Sequence, residues 1–412
     1  MFSFSSSNHI KNHLNLAVII FFGILIRIIC NLVFQQFYIF DDEWGYIDSA
    51  KEITKNSENF QFVDNQYKNY IAILYFLSDG FWLAKLLNIV YSCLTAIFAS
   101  SIIKLITDDK YYAWYTYLLF LFFPPFIIIS GTLLKESMII FLSIGFIYYV
   151  MSKNPYSLLL GFFFSILLIF ARQGYILIII PVFILYFLNY FVFAQNSQSY
   201  NVKKKHFGFA FGIVFITVFV GLYFGGTPIR YIISFFSLGY EGEYSGIRSM
   251  AENTIRNDRS AFYHLLVHDK FANIYNPINL FLSIMRLVFS PHPLTFIYNF
   301  NIYGFLQSAF VLCLYPFVGY YFWGLRKSID NINVLILSIF SISVFVISAI
   351  SSISTMNAMF RYSWVFYPFF LLVSIYGIFK QNKEKIKYIY LFWGLSVYLS
   401  LVLYFHIKSL HS

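Results

Sequence analysis

Apolar residues in this chain do not alternate with polar ones. They come in long runs, cut by brief polar interruptions. A helix needs roughly 20 apolar residues to cross the hydrocarbon of a bilayer. On that ruler the runs at 15–36, 81–106, 112–130, 136–152, 156–171, 175–195, 207–225, 303–325, 332–353, 363–380 and 387–406 predict about eleven transmembrane helices. The expected fold class is an all-α polytopic membrane protein, a single integral domain over 1–412 without internal repeat or low-complexity linker. The first 14 residues are polar and weakly basic. The run behind them is too long for a signal-peptide core and has no small-residue cleavage site, so it is expected to remain as the first span.

The interruptions sort into two kinds. With the N-terminus inside, the inner connections carry Lys104, Lys110, Lys153, Lys203, Lys204, Lys205, Arg326, Lys327, Lys380, Lys383, Lys385 and Lys387. The positive-inside rule expects that bias, and it makes the N-terminus cytoplasmic. The other side receives the acidic loop 37–80, the turns at Lys135-Glu136 and Arg172-Gln173, the long loop 226–302 and the segment around Arg361. Loop 37–80 returns through an aromatic stretch, 67–76, that is too short to span and is expected to lie at the interface or re-enter. Loop 226–302 carries Arg230, Arg248, Arg256, Arg259 and Arg286 with His264, His268 and His292. Pro277, Pro291 and Pro293 argue against another span there, and 279–289 reads as an amphipathic helix on the membrane.

Composition agrees with a lipid environment. The apolar fraction is 59%, with 53 Phe and 35 Tyr, more than a soluble domain can hide. The formal charge of +10 raises nucleic acid as a partner, but the basic residues are scattered and form no basic domain, so it is set aside. Cys30, Cys93 and Cys313 all lie inside apolar runs and form neither a zinc motif nor a disulfide framework. The abundance of Phe, Ile, Asn and Lys fits an AT-rich bacterial genome; a bacterial inner membrane is the expected location.

In a chain with only 11% charged residues, Asp41-Asp42-Glu43 sets three carboxylates side by side at a membrane boundary. In a half-buried, low-dielectric corner one of them is a general-base candidate. The plainer reading is the first turn of a helix running on from Trp44, where acids are favoured anyway. Lys135-Glu136 likewise reads as a helix start or as part of a site. Arg172, and Arg361 with Tyr362, sit so close to apolar runs that they either snorkel to the interface or face a polar cavity. Four charged turns on one face suggest a cavity for an anionic headgroup, and Arg suits phosphate through bidentate hydrogen bonds. The spacing of the three histidines matches no common metal motif, so no metal ligand is assigned.

This layout resembles the GT-C superfamily, the multi-span glycosyltransferases that use polyprenyl-phosphate sugars, such as protein O-mannosyltransferases and lipid A aminoarabinose transferases. Asp42-Glu43 after the first span, with Tyr46 three residues on, is similar to that family's Asp-Glu-x-x-Tyr pattern. The stretch Ala84-Lys85-Leu86-Leu87-Asn88 resembles the helix that follows the loop, and Glu136 matches a second outer-loop acid. Arg172 before a span containing Pro181, and Arg361-Tyr362 with Pro368, also look like family features. Lys135 before the second acid departs from the pattern, and no large soluble domain is expected after the last span, which departs from it too.

The resemblance implies a hexosyl-type glycosyltransferase on the outer face. It would move a sugar from a polyprenyl-phosphate donor to a cell-surface glycan or lipid acceptor. Asp42 or Glu43, with Asp41 and Glu136 nearby, would supply the base. Arg172, Arg361, Lys135, Arg256 and Arg259 would hold the donor phosphate, and Tyr46 and Tyr362 would line the pocket. A divalent metal is compatible with this chemistry, although nothing in the sequence asks for one. A repeat-unit polymerase of O-antigen or capsule, acting on a lipid pyrophosphate, is the close alternative, favoured by the arginine-rich loop. A lipid-linked glycan flippase or transporter ranks third. Such proteins carry mid-membrane charges, and here Arg27 is the main one.

Overall fold

The computed structural model describes residues 9–34, 41–55, 66–152, 155–172, 175–188, 316–319, 321, 332–353, 359–380, 386–391 and 393–395. Among them every regular element is a helix. They are α1 (His9–Phe34), α2 (Asp41–Lys55), α3 (Gln66–Ser78), α4 (Trp82–Thr107), α5 (Lys110–Phe122), α6 (Pro124–Ser130), α7 (Glu136–Met151), α8 (Pro155–Ala171), α9 (Ile176–Leu188), α10 (Ile332–Ile353) and α11 (Met359–Phe379). Loop 37–80 therefore carries two helices, the second over the aromatic return. The spans expected at 207–225, most of 303–325, and the whole loop 226–302 lie outside the described residues.

One described helix, Trp82–Thr107, is by itself long and apolar enough to cross a membrane. Lys110–Phe122 and Pro124–Ser130 add a second if they form one span bent by 50°. That bend has a local cause. Pro124 and Pro125 have no N–H, so the carbonyls of Phe120 and Leu121 lose their i+4 donors. Phe123, placed before a proline, is pushed to extended backbone (φ −68°, ψ 120°). At the opposite end of α4 the chain reverses tightly. Asp108 takes a left-handed conformation (φ 53°) and returns its N–H to the Lys104 carbonyl. Asp109 then caps α5 by accepting from the Tyr111 and Tyr112 amides.

Two apolar cores follow. The larger joins α4–α11. The smaller gathers Ala50, Tyr67, Ile71, Ala72, Leu74, Ala84 and Leu133 where the α2–α3 pair meets the start of α4. α1 reaches the bundle through two glycines. A Cβ at Gly23 would sit 2.8 Å from the Leu121 side chain, and one at Gly131 would sit 3.2 Å from the Asn31 Cα. Outward faces are apolar too: on α8 Tyr156, Leu159, Leu160, Phe162, Phe163, Ile166 and Phe170 are all exposed.

Candidate functional site

The polar groups converge where α6 ends and α7 begins, around the irregular backbone 131–135. A non-helical stretch in apolar surroundings must find partners for its own amides and carbonyls. Here side chains from three helices supply them. Glu43, only 7% exposed, reaches from α2 and accepts the Leu133 N–H at 2.6 Å. Tyr67 of α3 donates its hydroxyl to the Leu133 carbonyl at 2.8 Å. Asn88 of α4 donates its amide to the Thr132 carbonyl at 2.7 Å and more weakly to Leu134 at 3.4 Å. Ser137, in the first turn of α7, ties back by donating to the Asn88 carbonyl at 3.0 Å.

Charges gather on the same frame. Lys85 lies one turn before Asn88 on α4, within electrostatic reach of Glu43. Glu136 is 3% exposed and acts electrostatically on both Tyr67 and Tyr175. Arg172 acts on Tyr175 with the opposite sign, and the Tyr175 amide closes the turn onto the Arg172 carbonyl at 3.0 Å. The Tyr46 ring meets the Tyr67 ring edge-on at 5.0 Å. Burial, reinforced by Tyr46, pushes the Tyr67 phenol well above its ordinary range, with the Asn88 amide pulling weakly the other way. The hydroxyl therefore stays protonated and able to donate.

Of the residues singled out in the sequence, Glu43, Tyr46, Glu136 and Arg172 are thus drawn to one end of the bundle. Lys135 is there as well, half-buried as the residue that opens α7. Asp41 and Asp42 open α2, and Arg361 and Tyr362 lie in the first turn of α11; for these four only the backbone is described. Arg256 and Arg259 fall outside the described residues. Three contributors were not singled out as site residues: Lys85, Tyr67 and Asn88. The spacing of Lys85, Asn88, Ser92 and Thr95 was the available signal, since it marks one polar stripe on an otherwise apolar helix.

No group of three or more His, Cys, Asp and Glu able to hold a metal occurs among the described residues. Beneath the cluster, Ser92, Thr95, Phe126, Ile129, Ser137 and Ile140 enclose a cavity of about 10 Å³. That is room for a single water at most. Comparison with known protein families, with curated proteins and with solved structures finds no match. The site is therefore read from its own geometry.

Proposed function

We propose that the chain is a polytopic membrane glycosyltransferase of GT-C type, with about eleven spans and its site on the extracytoplasmic face. It would transfer a sugar from a polyprenyl-phosphate donor to a surface glycan or lipid acceptor. One observation carries this reading: carboxylates and cations from four separate segments, at 43, 85, 136 and 172, meet at one end of an apolar helical body. Ion pairs that serve only stability have little reason to collect there, because charge near hydrocarbon is costly. Transfer from a lipid phosphate needs both kinds of group. A carboxylate takes the acceptor hydroxyl's proton, and cations neutralise the phosphate as it departs. The apolar outward face of α8 supports a lipid surround. In this scheme the acidic corner 41–43 furnishes the base, Lys85, Lys135 and Arg172 are the described cations at this end that would meet the phosphate, and Tyr46 borders the pocket.

The test is the lipid-linked glycan pool of cells lacking the protein. A single sugar accumulating on a monophosphate carrier, with a surface glycan missing one decoration, upholds the transferase. Complete repeat units accumulating on pyrophosphate carriers would replace it with the polymerase, and would move attention to Arg256 and Arg259. Accumulation confined to the cytoplasmic leaflet would replace it with a flippase.

A further inference from the structure

Arg27 takes no part in the cluster, yet it is fully buried, with 0% exposure. All the acceptors it uses are neutral. Nη1 donates to the Leu121 carbonyl at 2.7 Å and to the Gly23 carbonyl at 3.0 Å. Nε and Nη2 fork onto the Ser92 hydroxyl at 3.2 and 3.0 Å. A buried cation among neutral acceptors is costly, and an apolar residue of similar volume would often be cheaper. The cost is offset only where several donors are needed at one place, which the guanidinium supplies in a planar fork.

The place is the α5–α6 break. Leu121 is the residue whose carbonyl loses its helical donor to Pro125, and that carbonyl receives the shortest of the Arg27 hydrogen bonds. Across the break, the Ser92 hydroxyl that accepts from Arg27 donates onward to the Phe126 carbonyl at 3.3 Å. One side chain thus holds a carbonyl on each side of the bend, the first directly and the second through Ser92. The short helix beyond the bend, Pro124–Ser130, leads straight into the backbone that Glu43 grips at Leu133.

We infer that Arg27 is a positioning residue: its guanidinium stands in for the backbone donor that Pro125 removes, fixes the α5–α6 bend, and thereby fixes the 131–134 loop. The consequence for catalysis rests on the reading of the corner proposed above. The bend itself does not.

The two are separated by hydrogen exchange on the full-length protein in detergent. R27M is expected to raise exchange of the 131–134 amides about tenfold, as a buried carbonyl loses its donor, while the amides of α8 keep their protection. In a P125A background, where position 125 regains an N–H, the same R27M change is expected to have little effect. If R27M alone fails to accumulate in membranes, recovery of the double variant P125A/R27M upholds the inference. Unchanged exchange in R27M, or equal loss with and without P125A, would overturn it. E43Q, assayed for sugar transfer, tests the catalytic reading alone: an active E43Q with a loosened R27M loop would sink the transferase corner and leave the staple standing.

Discussion

The corner around 131–135 and the aromatic wedge between α4, α7 and α8 solve opposite problems in one apolar body. In the wedge every backbone group is helical, and the side chains need only shape. Phe98, Phe141, Tyr148, Tyr149 and Phe164 contact one another with ring centroids 5.1–6.0 Å apart. Gly145 leaves the space that the Phe164 ring fills, since a Cβ there would lie 2.3 Å from it. In the corner the backbone leaves the helix, and the polar side chains serve it one by one: Glu43 and Tyr67 at Leu133, Asn88 at Thr132 and Leu134. Helical backbone is self-sufficient in an apolar setting, whereas irregular backbone has to be served by side chains. Loss of a polar atom should therefore hurt the corner, and gain of volume should hurt the wedge.

The largest expected effect is on activity. E43Q should lower transfer from a lipid-linked donor by about 10²–10⁴-fold, the usual range for a lost general base or its immediate support, while the variant still elutes as a folded species. Full activity in E43Q would reduce the corner to scaffold. Next, N88A leaves the Thr132 and Leu134 carbonyls without their donor and should destabilise by about 2–3 kcal/mol, seen as a fall in the detergent unfolding midpoint. In the wedge, G145A adds one methyl to a filled space and should cost about 1–2 kcal/mol. A neutral G145A would mean the rings slide freely and the wedge is not tightly packed.

Y67F removes one hydroxyl from the Leu133 carbonyl and should cost about 1 kcal/mol. Its effect should also depend on pH. Because the folded-state pKa of Tyr67 is raised, the stability its protonated phenol contributes is fully present below the unfolded value of about 10 and is lost as pH climbs above that. Alkaline unfolding should therefore separate Y67F from the parent least at high pH. The smallest effect belongs to L159A on the exposed face of α8, within about 0.5 kcal/mol. A larger loss would mean that protein rather than lipid or detergent covers that face.

Much of this architecture was legible in the sequence. The runs at 81–106, 136–152, 156–171 and 332–353 correspond closely to α4, α7, α8 and α10, because apolar length alone marks a helix that need not shed water. The run at 112–130 reads as one span and carries two helices that meet at a 50° bend; a hydropathy average over the run absorbs Pro124 and Pro125 and does not register that they lack donors. Asp41-Asp42-Glu43 opens a helix, as its plainer reading expects, and it also sends Glu43 inward. Which segment receives Glu43 was not legible, because Leu133 is 90 residues away and is engaged through its backbone. Arg27 stood out as a charge in the first run, but its partners, Ser92 and Leu121, belong to helices made much later.

That lateness bears on how the chain is built. On the membrane reading, α1 leaves the ribosome carrying Arg27 65 residues ahead of Ser92 and 94 ahead of Leu121. At about 5–20 residues per second the wait is roughly 3–20 s. During it a lone guanidinium in the bilayer costs on the order of 3 kcal/mol by insertion scales. The first helix would therefore linger at the insertion machinery or ride high in the interface until the fifth emerges, and its docking would date the moment the outer end of the bundle closes.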